Sequence, residues 1–348
     1  MRTINKILVI RFSSLGDILL ASPLLRALRK KFNDAQIDFL VKKEYADLVR
    51  YNAHLSSVIE LDFGDWQHLR LLGKYIRKQR YDYILDIHNS LRSRYIRLAS
   101  FCRHRSVVRK RVFARYALVH WKRQLYRNAR PVAERYLETA QPLGAENDHE
   151  GLEITVPEEI RSSVQIRLAK YHLERYDRVI GFAPTARHFT KRWPAERYIE
   201  CGVNLAKNKR SKILIFGGKG EEEYCGDIVH MINTTSGSQI AENLAAGFTI
   251  LETAAAMDFC KLVVSNDSGL MHLAAARKCN VLAIFGSTVR EFGFFPYGTK
   301  SAVVEKSELT CRPCTHIGRN DCPLGHFRCM KDISAAEVVD AAEKMLIG

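Results

Sequence analysis

Short apolar runs rich in β-branched residues alternate with helical patterns twice along this chain of 348 residues. In the first half, the runs predicted as strands cover residues 7–12, 37–41, 58–61, 83–87 and 107–108. In the second half, they cover residues 179–182, 213–216, 261–265 and 281–285. Alternation at this spacing is typical of βαβ units on a parallel sheet. The sequence therefore predicts an α/β protein with two Rossmann-like, doubly wound domains.

A polar interval at residues 141–150, followed by Pro157, separates the two patterns. We predict an N-terminal domain over residues 1–165 and a C-terminal domain over residues 166–348, in agreement with the usual domain length of about 150 residues. A helix predicted over residues 335–346 could pack on either domain. If the two domains face each other, the loops after their strands meet at one cleft, which is where open α/β sheets bind ligands.

The N-terminus and the cysteines both indicate a protein that stays in the cytoplasm. The apolar run at residues 7–10 is too short and wrongly flanked for a signal peptide or a membrane span. Nine cysteines, an odd number, fit reduced thiols better than a disulfide framework.

The positive charge of the chain is concentrated in one stretch. The formal net charge is +16, and residues 92–135 hold 14 Arg or Lys against one acid, Glu134. Such a stretch either forms a solvated helical face or binds a polyanion. The polyanions to consider are nucleic acid, anionic lipid headgroups and a phosphorylated glycan.

The first predicted strand is followed by a loop that contains Ser13, Ser14, Gly16 and Asp17. Its backbone amides could bind an anion, and the Asp17 carboxylate could act as a base. The alternative is a plain helix cap with serine turns. The loop has neither the G-x-G-x-x-G fingerprint nor the P-loop spacing, which argues against nicotinamide binding and against an ATPase.

Two loops of the second half carry charged residues at strand ends. Residues 185–193 hold Arg187, His188, Lys191 and Arg192, and cations placed there suit a diphosphate, although a surface helix entry with incidental charge would look alike. Residues 217–220 are glycine-rich and precede three glutamates, which could bind ribose hydroxyls or simply complement a helix dipole.

The most specific loop is Asp267-Ser268-Gly269, followed by Leu270, Met271 and His272. Gly269 permits close approach of a ligand to the backbone, and the free amides of a helix start can hold a phosphate. A histidine in a first helical turn is usually a core residue, but Asp-Ser-Gly at a strand end favours a ligand site.

Taken together, these loops resemble those of glycosyltransferase family 9, the ADP-heptose:lipopolysaccharide heptosyltransferases, over nearly the whole chain. The opening loop and the Asp-Ser-Gly loop are the most specific elements in combination. The motifs that carry the resemblance are Ser-Ser-Leu-Gly-Asp ending at Asp17, Lys191-Arg192-Trp193-Pro194, Asn243-Leu244 before Gly247, Asp267-Ser268-Gly269 with His272, and Phe285-Gly286-Ser287-Thr288.

The resemblance implies a GT-B fold in which the N-terminal domain binds the acceptor and the C-terminal domain binds ADP-heptose. It implies an inverting transfer of heptose to the inner core of lipopolysaccharide, with no metal and no cofactor. The partners it implies are the nucleotide-sugar donor and an acidic glycolipid acceptor, the lipid A/Kdo core, with peripheral contact at the cytoplasmic face of the inner membrane. The basic stretch would then hold acceptor phosphates, and no nucleic-acid partner is expected.

The resemblance also assigns roles to individual residues. Asp17 would be the general base, and we expect like-charge repulsion from the leaving phosphate to keep some proton affinity on its carboxylate. Lys191 would neutralise the departing diphosphate, and Asp267 would bind heptose hydroxyls. The remaining substrate-binding residues implied are Ser13, Ser14, Gly16, Thr185, Arg187, Glu222 or Glu223 for ribose, Thr249 beside adenine, Ser268, Gly269 and His272.

Two other functions stay open at this point. The same fold could use another nucleotide-sugar donor on a cell-surface glycan, because the loops that would contact adenine and heptose are poorly specified. A basic nucleic-acid-binding protein is disfavoured, because the chain has no zinc-finger or RNP-like motif.

Four cysteines cluster near the C-terminus, at Cys311, Cys314, Cys322 and Cys329. One C-x-x-C pair followed by two isolated cysteines is a weaker zinc signal than two paired knuckles. We therefore interpret the group as a local structural cluster, with a zinc site as the alternative.

Overall fold

The computed structural model describes residues 4–62, 66–126, 129–207, 210–245 and 247–347. The chain divides into two compact units. The first comprises residues 1–111 and 130–155, and the second comprises residues 112–129 and 156–348. The boundary between residues 165 and 166 stays a prediction.

Eleven strands and fourteen α-helices are found in the described residues. The strands are β1 (Lys6–Ile10), β2 (Gln36–Lys42), β3 (Ser57–Leu61), β4 (Tyr83–Asp86), β5 (His104–Val107), β6 (Arg178–Ala183), β7 (Ser211–Ile215), β8 (Ala241–Asn243), β9 (Leu262–Asn266), β10 (Asn280–Phe285) and β11 (Ser301–Glu305). The helices are α1 (Leu15–Leu19), α2 (Ser22–Lys31), α3 (Asp47–Arg50), α4 (Trp66–Gln79), α5 (Leu91–Ala99), α6 (Val112–Trp121), α7 (Val132–Leu137), α8 (Glu158–Ala169), α9 (Ala195–Lys207), α10 (Glu222–Ser236), α11 (Ile250–Met257), α12 (Gly269–Ala276), α13 (Arg328–Lys331) and α14 (Ala335–Ile347).

The first unit is built on a five-stranded parallel sheet in the order β3-β2-β1-β4-β5. Central strand β1 pairs with β2 and β4, so that Ile7 lies beside both Ile37 and Tyr83. Both faces of a central parallel strand are covered, which explains why Ile7, Leu8, Val9 and Ile10 form an unbroken apolar run with no exposed surface.

Apolar residues at helical spacing over residues 18–32 predict a single helix, but the chain forms two helices there. Helix α1 ends at Leu19 and α2 begins at Ser22, with Pro23 in the first turn of α2. Proline has no backbone N–H and cannot continue an existing helix, but it suits the start of a new one.

The second unit contains a six-stranded parallel sheet in the order β11-β10-β9-β6-β7-β8. Its two outermost strands, β8 and β11, were not predicted from the sequence. They are short edge strands without a long apolar run. Terminal helix α14 packs on this unit, where Val338, Ala342 and Met345 join the core.

The predicted α/β class with two doubly wound parallel sheets is confirmed. Within the described part of the chain, no helix has the length and apolar character needed to span a membrane.

A buried ion-pair network fixes α2 to the segment that leaves the first unit. Both Nε and Nη2 of Arg26 bind the Asp148 carboxylate, at 2.6 and 2.8 Å, and Nη1 lies 2.9 Å from Glu153. The Arg26 side chain is 8% exposed. Lys30 also contacts Asp148, at 2.7 Å, but its side chain is 59% exposed. Hydrogen bonds from Arg26 hold the pKa of Asp148 below its ordinary value.

Replacing Arg26 with Met should lower the free energy of unfolding by about 3 kcal/mol, because it leaves partly buried carboxylates without their guanidinium partner. The matched variant Lys30→Met should cost less than about 1 kcal/mol, since an exposed pair contributes little. Denaturant unfolding at neutral pH measures both. The free energies of unfolding of the wild type and of Arg26→Met should converge as the pH falls below about 4. Protonation of Asp148 removes its pairing with Arg26, which is the interaction that lowers the Asp148 pKa. Equal stability of the two variants at pH 7 would contradict this assignment.

Candidate functional site

In the first unit, polar residues collect where the strand order reverses. The chain runs from β1 to β2 on one side of the sheet and later returns to β4 on the other. The loops after β1 and β4 therefore flank the reversal point, which is where open α/β sheets place ligands. Arg11 links the two loops, because its Nη1 donates to the Ile87 carbonyl at 2.7 Å.

Asp17 lies in the first turn of α1 and is held from several directions. The guanidinium of Arg11 contacts Oδ1 at 2.7 Å, and the Tyr136 hydroxyl donates to the same oxygen at 3.0 Å. The backbone N–H and the hydroxyl of Ser14 donate to Oδ2, at 3.3 and 3.0 Å. Asp17 thus bonds back to the N-cap residue Ser14 and also belongs to a partly buried ion pair. Sequence reasoning missed Arg11 and Tyr136 as partners, and Tyr136 lies too far along the chain to give a local signal.

The protein's own groups lower the pKa of the Asp17 carboxyl, and the effect of a leaving phosphate on its proton affinity stays a prediction. Burial by itself raises the pKa of this carboxyl, but the positive charge of Arg11 and the hydrogen bonds from Ser14 and Tyr136 outweigh it, and the pKa is lowered. Asp17 is therefore a carboxylate at neutral pH. Of the other predicted residues in this loop, Gly16 is buried, Ser13 is half-buried and Ser14 is exposed.

His88 is a further polar group at this edge of the sheet that the sequence did not single out. It follows β4, and its ring lies 4.8 Å from the ring of Phe12. Burial, with the nearby positive charge of Arg11, lowers the pKa of His88 to about 3, so the imidazole is neutral at pH 7. Its Nδ1 is buried and has no hydrogen-bond partner within the described protein.

The second unit repeats this arrangement with β6 and β9, the strands at which its sheet order reverses. Asn266, at the end of β9, connects this strand end to the loop that follows β6. Its Nδ2 donates to the Pro184 carbonyl at 2.7 Å, and its Oδ1 accepts from the Trp193 backbone at 3.1 Å and the Tyr198 hydroxyl at 3.2 Å. The amide of Asn266 therefore sets the spacing of the loops that carry Lys191 and Asp267.

Lys191 and Asp267 form an almost buried ion pair. The Lys191 Nζ lies 2.7 Å from Asp267 Oδ2, with side-chain exposures of 15% and 5%. The Thr288 hydroxyl donates to the same oxygen at 2.6 Å. The structure thus brings two predicted site residues into contact. Thr288 is not among the site residues predicted from the sequence, because a Gly-Ser-Thr run alone carries a weak signal.

The start of α12 offers hydrogen-bond donors beside this pair. Gly269 begins the helix and Ser268 is its N-cap. The hydroxyls of Ser268 and Ser287 are buried and have no partner within the described protein. Unpaired buried hydroxyls are uncommon in folded proteins, and next to a helix N-terminus they suit phosphate oxygens. His272 is buried within the helix, with 3% exposure.

The other predicted residues occupy the loops of neighbouring strands. Thr185, after β6, is buried, whereas Arg187 is exposed. Glu222 and Glu223 begin α10, but it is Glu221 that accepts the Gly218 N–H, at 2.7 Å.

Thr249 caps α11 and exchanges hydrogen bonds with Glu252, so its polar groups already serve a structural purpose. Glu252 in turn lies 2.6 Å from Arg167 of α8. A capping box of this kind accounts for Thr249 without any ligand, and its place beside adenine stays a prediction.

The nine cysteines are all free thiols. Cys329 is buried in the core of the second unit, Cys322 packs against that core, and burial raises the pKa of Cys329 to about 12. In the described ranges, no three His, Cys, Asp or Glu side chains converge to hold a metal ion. The structural role of the C-terminal cluster stays a prediction.

The family profile and the relatives that match this chain both indicate the heptosyltransferases. The profile of glycosyltransferase family 9 (heptosyltransferase) matches residues 69–323. Lipopolysaccharide heptosyltransferase 2 of Salmonella typhimurium is 27% identical over 354 residues, covering 98% of each chain.

Solved structures share the fold. The ADP-heptose lps heptosyltransferase II of E. coli has a TM-score of 0.73 at 26% identity, covering 98% of each chain. A glycosyl transferase family 9 protein from Veillonella parvula has a TM-score of 0.79 at 24% identity, covering 99% of this chain and 97% of the other, and shows likeness of fold alone. The predicted GT-B fold is confirmed.

The Asp17 environment makes a prediction that does not depend on any substrate. Replacing Arg11 with Gln should raise the pKa of the Asp17 carboxyl by about one to three pH units, because burial would then act without the opposing charge. Carbon NMR titration of aspartate-labelled protein measures this, with Asp17→Asn assigning the resonance. Ser14→Ala, which removes one hydroxyl donor, should give a smaller rise. An unchanged pKa in Arg11→Gln would show that the ion pair does not control this carboxyl.

Proposed function

The chain belongs to glycosyltransferase family 9, the heptosyltransferases, and from that premise we propose that it transfers heptose from ADP-heptose to the inner core of lipopolysaccharide. We propose an inverting, metal-independent displacement. The acceptor hydroxyl attacks the anomeric carbon, the bond from that carbon to the diphosphate breaks, ADP leaves, and the acceptor proton passes to Asp17. Membership of the family confirms the resemblance predicted from the motifs.

The observation that carries the donor side of this proposal is the ion pair between Lys191 and Asp267. Each charge of this pair compensates the other at 2.7 Å. A diphosphate would offer Lys191 a stronger anionic partner, and Asp267, still bound by Thr288, would be released to accept sugar hydroxyls. The N–H groups at the start of α12 and the hydroxyls of Ser268 and Ser287 would stabilise the developing charge on the leaving ADP.

The acceptor side rests on Asp17. A carboxylate with a lowered pKa is a weak base towards a free alcohol, but the hydroxyl becomes strongly acidic as its oxygen bonds to the anomeric carbon. Proton transfer to Asp17 can therefore occur late in the displacement. Arg11 and Tyr136 would position the carboxylate and keep it ionised across the physiological pH range.

The basic stretch supplies charge for an acidic acceptor. Arg103, Arg105 and Arg109 are exposed, whereas Arg97 is paired with the fully buried Asp86 at 2.7 Å. Only part of the predicted stretch is therefore available to phosphates. We propose that these exposed arginines bind the phosphates of the lipid A/Kdo core at the cytoplasmic face of the inner membrane.

A donor comparison tests the proposed substrate. ADP-heptose and ADP should raise the melting temperature of the protein, whereas UDP-sugars and GDP-sugars at the same concentration should leave it nearly unchanged, since only a ligand bound by the folded state stabilises it. Lys191→Met should abolish the ADP response. Selective stabilisation by UDP or GDP donors would replace ADP-heptose with another nucleotide sugar.

The proposed base makes a kinetic prediction. Asp17→Asn keeps the size of the side chain but removes the proton acceptor, so kcat should fall about 10² to 10⁴-fold while the Kd for ADP-heptose changes little. Rapid-quench turnover and donor titration measure the two quantities.

Glu337 provides a matched control for the loss of a capping carboxylate. It accepts the N–H and hydroxyl of Ser334 at 2.8 and 3.0 Å and pairs with Lys306, in a part of the second unit outside the proposed site. Glu337→Gln should lower the melting temperature and leave kcat intact. If Asp17→Asn behaves in the same way, Asp17 is a cap and not the base.

A further inference from the structure

Helix α6 has apolar side chains on opposite sides, and only one side is covered. Ala117 and Leu118 are buried, and Leu118 packs with Tyr126 and Phe292 in a small core of the second unit. A helix that is apolar on both sides is normally buried on both. The exposed apolar side of α6 is therefore unusual for a helix of a folded protein.

The uncovered side is an aromatic patch. Val112, Phe113, Tyr116 and Trp121 are 58%, 66%, 50% and 54% exposed. The ring of Trp121 lies 6.0 Å from that of Phe113 and 5.4 Å from that of Tyr116, both edge to face. These three rings pack on one another while remaining in solvent. Leu125, 46% exposed, extends the apolar surface beyond the helix.

The helix is fixed to the body of the second unit at its C-terminal end. The Lys122 ammonium donates to the carbonyls of Cys311 and Pro313, at 3.0 and 2.7 Å, and to the Val119 carbonyl at 3.0 Å. Leu118 and Lys122 therefore both hold α6 against the second unit.

The charged residues that flank α6 along the chain are all of one sign. Arg109, Lys110 and Arg111 directly precede α6, Arg115 lies within it and Arg123 follows it. No Asp or Glu occurs in the sequence from Ile87 to Ala133. A second copy of this chain would bring the same positive charges together, which disfavours self-association through this face.

We propose that the α6 patch, defined by Val112, Phe113, Tyr116 and Trp121, docks on the surface of an anionic lipid bilayer. Trp and Tyr rings prefer the boundary between headgroups and acyl chains, and flanking Arg and Lys are attracted to anionic headgroups. A short amphipathic element with these features lies in the plane of the interface. The inference rests on the proposed function in one respect, because a lipid-anchored acceptor gives such docking a purpose.

Vesicle flotation tests the docking directly. Wild-type protein should float with phosphatidylcholine vesicles that contain phosphatidylglycerol and bind pure phosphatidylcholine more weakly. Phe113→Ser/Trp121→Ser should lower the partition coefficient about tenfold or more, because two interfacial rings are lost. The matched variant Ile166→Ser/Met231→Ser removes apolar side chains that are 75% and 44% exposed elsewhere on the same unit, and should bind like the wild type.

A spectroscopic readout keeps the proposal falsifiable if the double variant is unstable. The chain has three tryptophans, of which Trp193 is fully buried, so Trp66→Phe leaves Trp121 as the exposed reporter. With anionic vesicles, Trp66→Phe should show a blue shift and quenching by brominated lipid, and both should vanish when Trp121→Phe is added. Unchanged flotation of Phe113→Ser/Trp121→Ser, or no quenching of Trp121, would overturn the docking. A wild-type dimer that these substitutions dissociate would assign the patch to a second copy instead.

Turnover separates this inference from the proposed function. With a deacylated, water-soluble acceptor, Phe113→Ser/Trp121→Ser should keep the wild-type kcat, and its activity should fall only on acceptor embedded in vesicles. If wild-type protein docks but transfers nothing from ADP-heptose, the proposed function fails and the docking stands. If the variant works equally well on soluble and embedded acceptor, the docking fails and the proposed function stands.

Discussion

Both sheets are parallel throughout, and this constrains where the chain can place its polar chemistry. Strands covered on both faces are almost entirely apolar, so polar side chains collect at the strand ends. In each sheet the strand order reverses once, between β1 and β4 and between β6 and β9. Asp17 and His88 flank the first reversal, and Lys191 and Asp267 flank the second. The candidate site follows from the topology more than from any single motif.

The charges at these two places are compensated by partners within each unit. Asp17 is bound by Arg11, and Lys191 by Asp267, at 2.7 Å in each case. A buried charge without a partner would be strongly destabilising, so each ion pair holds its charged groups in a fixed geometry. In the proposed function, the diphosphate of the donor replaces Asp267 as the partner of Lys191.

The sequence predicted those features that depend on neighbours along the chain. Apolar runs located the strands that lie inside the sheets, and the residues after them located the loops of Asp17 and Asp267. Edge strands β8 and β11 were not predicted, because a short, partly exposed strand carries little apolar pattern. The hydrogen bond from Tyr136 to Asp17 and the lowered pKa of Asp17 could not be predicted, because they depend on contacts between distant segments of the chain. Thr249 is the opposite case. The family resemblance implies that it lies beside adenine, whereas the structure shows it in a local capping box with Glu252.

The chain passes between the two units at residues 111–112, 129–130 and 155–156. Cutting it once therefore cannot release either unit intact, and an expression fragment ending near residue 150 would carry α6 without the partner that covers its buried side. The same connectivity orders events during synthesis. Helix α6 leaves the ribosome early, while Phe292, which packs on Leu118, emerges only after most of the second unit has been made. Until then α6 is a nascent segment with apolar groups on opposite sides, the kind of segment that chaperones bind.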